Sequence, residues 1–139
     1  MKPIVRKRMI LVAVILLIIF LIYAPRRVSS VLNLPHVSNI SNIKISEYNK
    51  KGYEKICDTS SASEIKKLYE KIDNSYCISS LIVDYSFDKV TPSHFEVVFD
   101  EKGTEHVLLL DKKYFLGNND TKGHWAFTNS IYHYLSDIK

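Results

Sequence analysis

Polarity along the chain separates an apolar head from a patterned body. Met9 to Ala24 (MILVAVILLIIFLIYA) is an uncharged run of sixteen residues. It has no polar face, so it does not read as a helix laid on a small core. As a helix it rises about 24 Å, short of the ~30 Å hydrocarbon core of a bilayer. Arg8 and Arg26 can close that gap by snorkelling, and Tyr23 stands where an interfacial aromatic belongs. Pro25 ends the helix.

Residues 25–42 (PRRVSSVLNLPHVSNISN) are rich in Ser, Asn and Pro and lack a clean period, which predicts a tether. Its Val31, Leu32 and Leu34 are apolar enough to rest on a membrane or on the domain. From Ile43 the pattern turns globular. Two strand-like pieces, carrying Ile43, Ile45 and Tyr53, Ile56, flank Asn49-Lys50-Lys51-Gly52, a hairpin turn by composition. Ser61-Ala62-Ser63-Glu64 has the form of a capping box, and Ile65, Leu68, Tyr69 and Ile72 follow at i, i+3, i+4, i+7.

A central strand is predicted over 78–87. A hairpin follows over 94–111, with Phe95, Val97 and Phe99 alternating against Glu96, Val98 and Asp100, and with Gly103 in the turn. Tyr114-Phe115-Leu116 reads as one more strand and 117–123 as a loop. A last helix carries Ile131, Tyr134, Leu135 and Ile138 on one stripe. The expected fold is α+β: an N-terminal transmembrane helix, then an antiparallel sheet with two packed amphipathic helices. Its parts are a basic tail at 1–8, the membrane helix at 9–24, a linker at 25–42 and one domain at 43–139.

Charge changes this picture in two ways. The net charge is +4, yet thirteen of the 19 Lys and Arg lie beyond Arg27 against all 15 Asp and Glu. The basic surplus belongs to the membrane flanks Lys2, Arg6, Lys7, Arg8, Arg26 and Arg27. A domain without that surplus lacks the electrostatic drive of most nucleic-acid binding, so no nucleic-acid partner is expected. Secondly, more basic residues precede the apolar run than follow it. The positive-inside rule then puts the N-terminus in the cytoplasm and the domain outside, at the cell membrane. Retention of the run as a single-pass signal anchor is favoured over cleavage. Pro25 is a poor residue after the Ala24 bond, and Arg26 and Arg27 separate Val28-Ser29-Ser30 from the apolar run.

Candidate chemistry is sparse. Cys57 and Cys77 are the two cysteines. An even count outside the cytoplasm permits a disulfide, but a helix about 18 Å long separates them, and two buried thiols are the alternative. The five histidines lack metal-ligand spacing, although His94 and His106 could face each other across their hairpin. Asp84, Asp88, Asp100 and Asp111 flank strands, where solvated strand ends and an acid–base pair are both open readings. No nucleophile motif is present, and no cofactor or metal is implied. Gly123-His124-Trp125-Ala126-Phe127 is the one Gly-bordered stretch that delivers Trp and His together. It reads as core lining or, with His124, Trp125 and Phe127 outward, as a contact surface.

The layout Ile45-x-x-Tyr48, Tyr53, Ile56, the capped helix with Ile65 and Leu68, Ile82-x-Asp84-Tyr85 and Ile131-Tyr132-x-Tyr134-Leu135 resembles small uncharacterised domains on signal anchors of Gram-positive bacteria. The resemblance spans roughly residues 43–138. It implies an extracytoplasmic α+β domain and brings no catalytic residues. The function expected is a membrane-tethered, non-enzymatic module that holds lipid through its helix and binds a protein or cell-envelope partner. A cell-envelope hydrolase or metal-dependent enzyme is the alternative.

Overall fold

The structure, a computed structural model, describes residues 3–79, 94–118, 122–126 and 130–139. Helix α1 (Pro3–Tyr23) starts earlier than the apolar run and takes Arg6, Lys7 and Arg8 into its first turns. It contributes no buried residue. No helix among the described residues is long and apolar enough to cross a membrane. The uncharged part of α1, 9–23, rises only about 22 Å.

The segment read as a tether packs on the domain, one of the two rests open to its Val31, Leu32 and Leu34. Arg26–Arg27 form a short strand, β1, and Val28–Leu32 a short helix, α2, which ends on Asn33 in the left-handed region. A 3-10 turn follows at Val37–Asn39. Val28 is fully buried, Ile40 nearly so, and Val31, Leu32, Leu34 and Val37 pack against the core. Val28, Val31 and Leu32 fall at i, i+3, i+4, a single helical turn of apolar stripe. It is too short to stand alone and is held by what it covers.

The remaining elements are β2 (Asn42–Asn49), β3 (Gly52–Thr59), α3 (Ala62–Asp73), β4 (Tyr76–Ser79), β5 (His94–Glu101), β6 (Thr104–Leu110), β7 (Tyr114–Leu116), β8 (Lys122–Trp125) and α4 (Ser130–Ile138). The described strands join one antiparallel sheet in the order β1-β4-β8-β7-β6-β5-β2-β3. The α+β class and the antiparallel sheet are therefore as the alternation predicts. Of the strand expected over 78–87, β4 covers the start, and 80–87 lies outside the described residues. Lys122–Trp125 is strand, where 117–123 was expected as loop and 123–127 as core lining or contact surface.

Both hairpins turn where composition placed them. Asn49 pairs with Gly52, which takes φ +113°, and the Asn49 side chain accepts the Lys51 N–H at 2.8 Å. Lys102 and Gly103 both have positive φ, 52° and 90°, the geometry of a type I′ turn, and Asp100 accepts the Gly103 N–H at 2.7 Å. The start of α3 departs from the capping box. Ser61 makes no side-chain cap bond. Instead the Thr59 hydroxyl accepts the Ser61 N–H at 3.1 Å and donates to Glu64.

The sheet buries one face under α3 and α4. Unbroken pairing of β2 with β5 sets Ile43 opposite Phe99 and Ile45 opposite Val97, all four on the core side. Leu108 and Leu110 of β6, Phe115 of β7, Trp125 of β8 and Cys77 of β4 extend that face. Ile65, Leu68 and Ile72 of α3 and Ile131 and Leu135 of α4 close it from above. Gly123 sits where β8 crosses the Phe115 ring. A Cβ there would lie 2.6 Å from that ring, so the close approach requires glycine.

Helix α3 links the two edges of the sheet. Its N-terminus is bonded to Thr59 of β3, and Asp73 at its C-terminus meets Arg27 of β1 at 3.6 Å and Ser29 at 2.5 Å. Eight strands laid flat would put those edges about 34 Å apart, whereas twelve helical residues reach about 18 Å. The sheet therefore curls around its helices.

Candidate functional site

Among the described residues, three places bring chemistry-bearing side chains together, beginning at the β3 edge. Here β2, β3, α3 and α4 enclose a cavity of about 160 Å³. Ile43, Ile45 and Leu68 form its apolar walls. Cys57, Thr59, Glu64, Lys67 and Tyr134 supply its polar groups. Lys67 lies 5.8 Å above the Tyr134 ring, a cation–π distance. Burial, and then the charges of Glu64 and Asp58, push the Cys57 thiol above its ordinary range. The thiol is thus held protonated, the opposite of what a nucleophilic cysteine needs. The cavity has the volume of about five waters, against 300 Å³ or more for most ligand sites.

The second place is the far end of β2, on the sheet face away from the helices. Tyr48 is opposite both Tyr53 of β3 and His94 of β5, so three rings stand in a cross-strand row. Tyr48 stacks on His94 with centroids 4.8 Å apart, and the Tyr53 hydroxyl lies 3.2 Å from His94 Nε2. His94 is buried while Tyr53 is half exposed. The geometry joins a shielded imidazole to a half-exposed phenol.

The third is the stretch His124-Trp125. Neighbours on a strand point to opposite faces, so β8 separates the two residues that the sequence seemed to deliver together. Trp125 enters the core, 5.1 Å from the Phe115 ring, and its indole N–H donates to the Asp111 carbonyl at 2.9 Å. His124 lies half-buried on the other face, edge-on to Tyr114. Phe127 lies outside the described residues. The side chain of Asp111, just past the end of β6, caps the turn into β7. It accepts the backbone N–H groups of Lys113 and Tyr114 at 2.6 and 2.7 Å.

The chain matches no protein-family model, no curated protein and no solved structure.

The other sequence candidates are dispersed. Cys57 and Cys77 are free thiols on strands with five others between them in the sheet. Cys77 is fully buried, and burial pushes its pKa up to about 11 despite Arg26 pulling it down. His94 and His106 sit at opposite ends of their hairpin, with His106 paired to Glu101 at 3.1 Å. Asp84 and Asp88 lie outside the described residues. Among the described residues, no three His, Cys, Asp or Glu come together as a metal site. Arg6, Lys7 and Arg8 are on α1, and Arg26 and Arg27 form β1. The aromatic row is a site that sequence reasoning missed. Its signal was the odd-even register of Tyr48, Tyr53 and His94, usable only once the hairpin partners were known.

The thiols give a direct check on this electrostatics. A maleimide or iodoacetamide should label Cys57 more slowly than a free cysteine at pH 7–8, because the thiolate is the reacting form and the folded pKa is raised. The rate should climb as pH rises past the ordinary thiol range. Cys77 should stay unlabelled until denaturant opens the core. Rapid labelling of both at pH 7, read by mass spectrometry, would contradict this burial.

Proposed function

We propose that the protein is a membrane-tethered extracytoplasmic module that binds a protein or cell-envelope partner and performs no catalysis. The observation that carries this reading is α1. All of its large apolar side chains are exposed, from 38% at Ile22 to 66% at Phe20, on every side of the helix. An apolar surface of that extent on a soluble monomer would drive aggregation unless lipid or protein covers it. Basic residues at both ends suit lipid. Arg6, Lys7 and Arg8 precede the apolar stretch, and Arg26 and Arg27 follow it. Snorkelling and local thinning of the bilayer offset the short apolar rise.

The binding role rests on the described side chains. The cavity thiol is held protonated, and the buried imidazole faces phenols. Among the described residues, these groups offer recognition contacts and no activated nucleophile. The excess of basic residues before the helix favours a cytoplasmic N-terminus, with the domain outside.

Alkaline carbonate extraction of cells expressing the full chain tests the tether. The chain is expected to stay with the membrane pellet, and a chain beginning at Pro25 to be released. Protease added to intact spheroplasts should digest the domain. Recovery of the full chain in the soluble fraction, or a domain protected in spheroplasts, would defeat the proposal.

A further inference from the structure

We infer that the β1 edge of the domain rests directly on phospholipid headgroups, with Arg26 and Arg27 against lipid phosphates and Tyr23 and Tyr76 beside them in the interface. The inference rests on the insertion of α1 proposed above and adds where the domain sits and what it touches.

The covalent geometry comes first. Only Ala24 and Pro25 separate the end of α1 from β1. Two or three residues of extended chain reach at most about 7–10 Å, about the depth of one leaflet's headgroup region and a single water layer, so the domain stays at the headgroup surface. The residues after α1 are not slack either. Arg26 pairs with Cys77 and Arg27 with Tyr76. The Val28 N–H donates to the Ser75 carbonyl at 3.0 Å, and the Val28 side chain is fully buried. The domain cannot swing away from the end of α1 without stripping β1 from the sheet and pulling Val28 from the core.

The chemistry of the juxtaposed surface fits the same partner. Tyr23 ends α1 and is 43% exposed, and Tyr76, opposite Arg27, is 39% exposed. Tyrosine is favoured at the headgroup level because its ring is apolar and its hydroxyl is wet. The Arg26 guanidinium reaches back to the Leu21 carbonyl at 3.5 Å and so lies along the end of α1. Arg27 is half exposed and shares its charge with Asp73 at 3.6 Å, which lowers its contribution relative to Arg26. A planar guanidinium binds phosphate through paired N–H donors, and a basic residue near an anionic membrane surface gains roughly fivefold in local affinity. The opposite edge, β3, carries Glu54 and Asp58 beside Lys55 and has no such surplus.

The test uses the full chain reconstituted in vesicles of phosphatidylcholine containing a photoreactive headgroup probe on either phosphatidylglycerol or phosphatidylcholine. After illumination, adducts are mapped by mass spectrometry. Peptides covering 26–33 and 71–79 should be labelled at least about fivefold more than those of β3, and more from the anionic probe than the zwitterionic one. The variant R26Q/R27Q should keep its place in the vesicle and lose the anionic preference. An eight-residue Gly-Ser insertion between Ala24 and Pro25 should lower labelling of 71–79 severalfold while the protein still floats with lipid. Equal labelling of both edges, or an anionic preference unchanged in R26Q/R27Q, would overturn the inference and leave the membrane tether standing. A chain that fails to float with the vesicles would overturn the tether itself.

Discussion

Trp125→Ala is expected to cost about 3–5 kcal/mol, a large part of the stability of a domain this size. Trp125 is only 8% exposed, and its ring packs on Phe115. Its indole also satisfies the Asp111 carbonyl, so truncation both opens a cavity and strands a buried acceptor. Its position raises the stakes. Strand β8 joins β7 to β4, so it ties the β1-β4 pair to the five strands from β7 to β3. Trp125→Phe keeps much of the ring and loses the hydrogen bond, and should cost about 1–3 kcal/mol. Denaturant melts followed by far-UV circular dichroism give both values. The chain for this measurement begins at Pro25, because α1 contributes nothing to the core while Val28 does. A loss below about 0.5 kcal/mol for Trp125→Ala would put this side chain at the surface, as a contact residue.

Leu135→Ala should cost about 2–5 kcal/mol in the same melts. Helix α4 has nine residues, too few to persist alone in water, so its docked face must hold it. Ile131 and Leu135 are fully buried, and Tyr132 meets the Phe95 ring edge-on at 5.4 Å. Ile138, on the same sequence stripe, is 37% exposed where it lines the β3-edge cavity, and Ile138→Ala should cost less, about 1 kcal/mol or below. The difference between the two variants separates a docked helix from a frayed one. Equal small losses would mean that α4 is held by something other than this core.

Much of the architecture is legible in the sequence alone. The stripe Ile65, Leu68, Ile72 marks α3, and all three residues are buried. The alternation of Phe95, Val97 and Phe99 puts these residues on the core face of β5. Asn49 to Gly52 and Asp100 to Gly103 carry the turn residues that positive φ demands, and both hairpins close there. The candidate site was less legible. The cavity at the β3 edge draws on four elements, and the aromatic row on three strands, two of them far apart in sequence.

The sequence by itself determined the features that depend on neighbours within about ten residues: the apolar helix, the stripes of α3 and α4, both turns, and the alternation of the long strands. Tertiary structure decided the rest. Residues 25–42 look polar and aperiodic, yet Val28 and Ile40 find cover against α3 and the sheet. His124 and Trp125 are adjacent in the chain, but pairing of β8 with both β4 and β7 sends them to opposite faces. Thr59, two residues before the expected cap, became the partner of Glu64. A local pattern states which side chains share a face. It does not state which face will be covered, because covering depends on segments brought together only when the sheet closes in its own strand order.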